Sequence, residues 1–175
     1  MEPDPKGEPA APDPPESTPP EPDETTTGKA DSIKRLAALI IDAVIAGVVM
    51  GLLGAFLGPI LGYSLGFLVA AAYMATRDGL NLDFMKGRSI GKKLVKLRPV
   101  RLDGKAMDIE SSVKRNWMFA IGYIVNVGFL SFIGWLIGAA AGLIGLYECY
   151  KVITDKEGRR WGDELAGTRV IESAD

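Results

Sequence analysis

Two stretches of this chain carry no charged side chain at all: AVIAGVVMGLLGAFLGPILGYSLGFLVAAAYMAT, residues 43–76, and NWMFAIGYIVNVGFLSFIGWLIGAAAGLIGLY, residues 116–147. A helix crosses the hydrocarbon core of a bilayer with about 20 apolar residues. Each run is too long for one upright span and right for two spans joined by a tight turn. Gly58-Pro59 breaks the first run, and the second breaks between Gly128 and Gly134, around Ser131. The pattern predicts an all-α membrane protein, a four-helix transmembrane bundle of two helical hairpins. Its helices are expected near 34–57, 60–77, 112–130 and 133–153, with a central loop over 78–111 and a final segment over 154–175.

Lysine and arginine concentrate in the cytoplasmic loops that flank membrane helices. Of the twenty basic residues here, four precede the first helix body (Lys6, Lys29, Lys34, Arg35), eleven lie from Arg77 to Arg115, and five lie from Lys151 onward. Neither outer turn has any. Both termini and the central loop are therefore expected on the cytoplasmic side. A three-span arrangement ranks second, because it would export Arg159, Arg160 and Arg169.

Residues 1–30 obey a different composition. They hold nine of the eleven prolines and eight acidic residues against only Lys6 and Lys29, the mark of a disordered acidic tail. The tail lacks the basic start, apolar middle and small-residue cleavage site of a signal peptide, so it is expected to stay attached. It carries two positive and eight negative charges, −6 in all; with −2 for the whole chain, residues 31–175 carry +4. That balance suits a body lying against an anionic inner leaflet. The tail reads either as a solubilising leader or as a docking arm for a protein partner. No nucleic-acid partner is expected.

Between the two greasy runs, GRSIGKKLVKLRP (87–99) sets a basic cluster around Gly87 and Gly91. It is not a nucleotide-binding loop: the glycines stand one residue too close, and Lys93 occupies the place of the hydroxyl that would bind magnesium. Two uses remain open. Arg88, Ser89, Lys92 and Lys93 contact anionic lipid head groups or phosphate, or the charges only hold the loop on the inner side. Downstream, VKLRPVRLDGKAMDI alternates polar and apolar residues around Asp103-Gly104, which predicts a small cytoplasmic β-hairpin in the central loop. Small residues at three- and four-residue spacing on the first helix (Gly47, Gly51, Gly54, Gly58) and at four-residue spacing on the second and fourth (Gly62, Gly66, Ala70; Gly134, Gly138, Gly142) predict close helix packing. They serve either a tight bundle or a homo-oligomer face.

One ionisable residue sits well inside the first helix. An aspartate at the centre of a membrane helix costs about 2.5–3.5 kcal/mol on insertion scales, so Asp42 should face other helices and have a partner. Arg35 lies two turns earlier, about 10 Å along the axis, and Arg115 and Asn126 are further candidates. Glu148 falls near the cytoplasmic exit, where it reaches water. In the final segment Asp163 is placed to accept from backbone N–H groups or from Arg88, Lys92 or Arg115, as a latch. Arg35, Asp42, Arg115, Asn126 and Asp163 thus form the expected polar network, used either in transport or only to fix how the hairpins dock. Cys149 is the only cysteine and there is no histidine. No metal site, cofactor or catalytic centre is expected from such a set.

The order of these parts resembles the RDD family of bacterial membrane proteins, named for one arginine and two aspartates. Arg35 and Asp42 in RLAALIID match its first arginine and first aspartate, GRSIGKKL its glycine-serine-glycine-lysine loop, Arg115 its arginine before the third helix, and RRWGDELAGTRVI, with Asp163, its closing segment. The likeness covers roughly residues 33–171. One position departs: the family commonly has histidine before the second aspartate, and here Gly162 stands there. The resemblance implies residence in the bacterial cytoplasmic (inner) membrane and a transport role without a settled ligand, sodium–proton exchange among the activities connected with some members. The chain is therefore expected to be a small transporter or sodium/proton exchanger working through Asp42. The alternative is a non-catalytic adaptor or assembly factor that uses its basic loop and acidic tail to bind lipid or a protein partner.

Overall fold

A computed structural model of the chain describes residues 29–127 and 131–173. The protein is mainly helical, with a small two-stranded sheet. In order, the elements are α1 (Ser32–Leu57), α2 (Leu61–Thr76), α3 (Ile90–Leu94), β1 (Leu97–Arg101), α4 (Ile109–Ile124), α5 (Ser131–Thr154), α6 (Trp161–Leu165) and β2 (Thr168–Glu172). The acidic stretch up to residue 28 lies outside the described residues. The described residues begin at Lys29, two residues inside the expected tail. The Lys29 amine donates to the carbonyls of Ile153 and Asp155 at the end of α5, and Ala30 packs with Leu97 and Val170.

Two helices are long and apolar enough to cross a membrane: α1 and the Leu136–Thr154 part of α5. The helices α2 and α4 have 16 residues each, about 24 Å of rise. Capping sets the starts. The Asp31 carboxylate accepts from Ile33 N at 2.8 Å, and that of Asp108 accepts from Ser111 N at 2.7 Å. This second cap starts α4 three residues before the expected 112, and α4 ends at Ile124 rather than near 130.

Glycine governs the contact between α1 and α2. A Cβ on Gly62 would stand 2.1 Å from the Leu53 carbonyl oxygen, and one on Gly66 would stand 2.9 Å from Met50 Cα, so these backbones touch where a side chain would hold them apart. Gly47, Gly51, Gly138 and Gly142, expected to pack in the same way, instead have nothing within 4 Å of such a Cβ. The helix α2 packs between α1 and α4, whereas α5 leans on α4 and stands off α1. Among the described residues, the expected close glycine packing is found where α2 meets α1.

The expected hairpin around Asp103-Gly104 is also replaced. Gly104 takes a positive φ of 75° in a turn, but β1 pairs antiparallel with the C-terminal β2, in the register Leu97↔Glu172 through Arg101↔Thr168. The residues after the turn run extended into the Asp108 cap, whereas TRVI brings Val170 beside Leu97 and Ala30 to close an apolar cluster. The two strands, α3 and α6 thus form a cap. It gathers the start of α1, the end of α2, the start of α4 and the end of α5 at one end of the molecule.

Candidate functional site: a buried ion-pair network under the cap

Asp42 lies on the stripe of α1 formed by Ala38, Asp42 and Ala46, whose small neighbours let another backbone approach. That backbone is α3: a Cβ on Gly91 would stand 2.1 Å from the Ala38 carbonyl oxygen. Gly91 N donates to Asp42 Oδ1 at 2.8 Å, the Tyr73 hydroxyl donates to the same oxygen at 2.8 Å, and Arg77 Nη1 donates to Oδ2 at 2.9 Å. The carboxylate is wholly buried, and both its oxygens are occupied by donors from α2, its C-terminal end and α3.

Asp78, the next residue after Arg77, is the second buried carboxylate. It receives the Lys92 amine at 2.7 and 3.0 Å, Ser89 N at 3.2 Å and Asn116 Nδ2 at 3.0 Å, with Arg115 Nε at 3.7 Å. The basic glycine turn is thereby explained. Ser89 caps α3 by accepting from Lys92 N, and the cap geometry aims the Lys92 side chain inward at Asp78.

The third carboxylate, Asp163 on α6, joins Arg115 Nη2 at 2.7 Å, Arg35 Nη2 at 2.6 Å and Arg160 Nη2 at 3.3 Å, and it accepts from Arg160 N at 3.2 Å as a helix cap. Arg35 also donates to the Gly158 carbonyl. Arg115 therefore lies between Asp78 and Asp163 and couples the two clusters. Arg160 adds a fourth carboxylate: its Nε lies 3.8 Å from Glu148 Oε2, and Gly162 N donates to Glu148 Oε1 at 3.1 Å. The guanidiniums of Arg77 and Arg160 lie over the Phe119 ring, 5.7 and 5.3 Å from its centroid.

These surroundings set the charge states in the cap. Burial alone would raise Asp163, but Arg115, Arg160 and Arg35 hold it far below the usual carboxylate range. Burial likewise opposes ionisation of Asp78, and Lys92, Arg115 and Arg77 outweigh it. Lys92 moves the other way for an amine: burial, reinforced by Arg77, Arg115 and Arg160 and opposed by Asp78, brings it down to about 7.

The network differs from the expected one in its pairing. Arg35 does not meet Asp42. Its side chain runs toward the cap and takes Asp163, while Arg77 comes off the end of α2 directly against Asp42. Arg115 and Asp163 meet, but Asn126 is exposed beyond the last turn of α4, where it donates to Gly122 O of its own helix. Glu148 is buried and bound to Gly162 N rather than reaching water. The surface expected to touch lipid phosphate is mostly interior. Arg88, Ser89 and Lys92 are buried, and only Lys93 is exposed, with its amine on the Phe84 carbonyl.

Sequence reasoning missed Tyr73, Arg77, Asp78, Asn116 and Arg160. A signal existed for some of them: Arg77-Asp78 is the first charged pair after an uncharged run, and Ser111, Ser112, Arg115 and Asn116 make a polar stripe at three- and four-residue spacing on α4. Among the described residues, no group of three or more His, Cys, Asp or Glu is arranged to hold a metal ion.

A sequence model of the RDD family matches residues 29–167. The chain belongs to the RDD family. No curated protein and no solved structure matches it. As an RDD protein it is a membrane protein, in keeping with its two long apolar helices. Arg35, Asp42 and Asp163, the arginine and two aspartates on which the resemblance rests, are each buried or nearly so within the network. At Gly162, beside Asp163, this RDD protein has no room for a side chain: a Cβ there would stand 2.3 Å from the Arg115 carbonyl oxygen. The missing side chain lets α6 lie directly on α4.

Proposed function

We propose that this RDD protein is a four-span, non-catalytic protein of the bacterial cytoplasmic membrane, an adaptor or assembly factor whose cap is an interaction platform locked to the helices by buried charge. The start of α1, the central segment and the C-terminal strand all meet in one cap, which supports an even number of crossings with both termini on the same side. The basic residues at that end support the cytoplasmic side. The observation that carries the reading is the saturation of Asp42. Both oxygens are held by Arg77, Tyr73 and Gly91, and admitting a sodium ion would break bonds to three separate groups.

A second reading, a small carrier or sodium/proton exchanger, is favoured by Lys92, a buried amine brought down to about 7 beside Asp78 and thus able to change charge near neutral pH. Proton and sodium flux in sealed proteoliposomes separates the two, with the native protein run beside Asp42→Asn and Lys92→Met at matched folding. The adaptor reading expects no flux in any of the three and lower thermal stability for Asp42→Asn. Flux in the native protein that disappears in a well-folded variant would replace it with the carrier.

A further inference from the structure

Because α5 leans on α4 and stands off α1, a cavity of about 480 Å³ remains between α1 and α5. Its walls are apolar: Leu36 and Leu39 on one side, Leu146 and Val152 on the other, with Gly142 and Gly145 giving width. Leu36 and Leu146 are 53 % and 69 % exposed at its rim, so the cavity opens sideways, toward where the acyl chains of a bilayer would lie. Its inner end has the opposite character. Arg35, Arg77, Lys92, Arg115 and Arg160 line it, against Glu148 as the single carboxylate. Adding the three aspartates behind them, the cluster has five cations and four anions.

The cationic end is also incompletely bonded. Arg115 and Arg77 are 0 % and 2 % exposed. Among the described residues, Arg115 Nη1 and Nε and Arg77 Nε donate no hydrogen bond, the Arg115 Nε contact with Asp78 being an ion pair at 3.7 Å. Buried guanidinium N–H groups left without acceptors are costly, and their usual partner is a carboxylate or phosphate oxygen. A free anion would satisfy the floor but leave the apolar walls empty. A neutral acyl chain would fill the walls and leave the floor unbonded. Only an amphiphile fits both.

We infer that the α1–α5 cavity is a binding site for one anionic phospholipid, its phosphate received at the cationic inner end where Arg35 and Arg160 are the more accessible guanidiniums, and an acyl chain lying between Leu36, Leu39 and Leu146. The site differs from the exposed face of the basic turn, since it lies on the membrane side of the cap and needs no residue of the loop surface. It holds whether the protein serves as an adaptor or a carrier.

The test is native mass spectrometry of the full-length protein in detergent micelles offered equal phosphatidylglycerol and phosphatidylcholine. One phosphatidylglycerol should be retained, about tenfold over phosphatidylcholine, as expected when charge-assisted bonds to the head group contribute. Inorganic phosphate in the same buffer should not displace it. The double variant Gly142→Leu/Gly145→Leu, which fills the cavity from α5 where no atom stands within 4 Å, should lose the lipid with its lipid-free melting temperature unchanged. Equal retention of the two lipids, displacement by inorganic phosphate, or undiminished phosphatidylglycerol on the folded double variant would each overturn the site. Should the double variant not fold, the lipid and phosphate comparison on the native protein decides alone.

Discussion

Arg77 and Asp42 show why one wrong partner matters in this protein. Each is buried, and removing one leaves the other charged and alone, a loss of about 3–5 kcal/mol for pairs of this kind. Asp42→Asn and Arg77→Met are each expected to lower stability by about that amount in detergent unfolding, and the double variant to recover part of it through the coupling of the pair. Gly91→Ala should be as harmful by another route, since its Cβ would meet the Ala38 carbonyl at 2.1 Å, while Gly47→Ala, with open space around it, should be close to neutral. Lys92 gives a pH test. Its ordinary value is 10.5 and its folded value about 7, so between these the unfolded chain holds a proton the folded one lacks. Stability should therefore rise with pH across that window and lose the slope in Lys92→Met, as read by melting temperature. At this scale the sequence exposed the charges and hid their pairing. Asp42 stood out because it interrupts an apolar helix, yet Arg35 was only its nearest cation along the helix, and the true partner depends on how α2 lies against α1.

Among the elements, α6 has only five residues yet places Asp163 among three arginines. Its Trp161 ring meets Trp117 of α4 edge-on, with centroids 6.3 Å apart, so tryptophan fluorescence reports its docking. Asp163 carries that docking through Arg35, Arg115 and Arg160. Because its folded value lies below the ordinary 3.8, its contribution is fully present above the usual carboxylate range and is lost only as pH falls beneath it. The fluorescence should hold constant from neutrality to about pH 4 and change below it, whereas Asp163→Asn should show the undocked signal already at neutral pH. Helices were legible here because uncharged length is a local property. The sheet was not: alternation marked Leu97–Arg101 as a strand, but its partner is some seventy residues away, and Asp103-Gly104 offered a nearer turn that the chain uses without returning as a strand.

For the molecule as a whole, the contacts of Lys29 and Ala30 give a direct prediction. Deleting residues 2–28 removes none of the described contacts and should leave the melting temperature unchanged. Deleting 2–30 also removes the Lys29 bonds to the end of α5 and the Ala30 packing against Leu97 and Val170, and should lower it measurably. Four helical segments follow from hydropathy, whereas the gap between α1 and α5 does not, because glycine spacing reads alike in a packed seam and an open wall. The strand that completes the cap also follows every helix along the chain. All four long helices leave the ribosome before Asp163 does, so Arg35 and Arg115 wait without their shared carboxylate until α6 follows. A chain cut short before α6 therefore keeps its long helices but leaves Arg35 and Arg115 without the carboxylate they share.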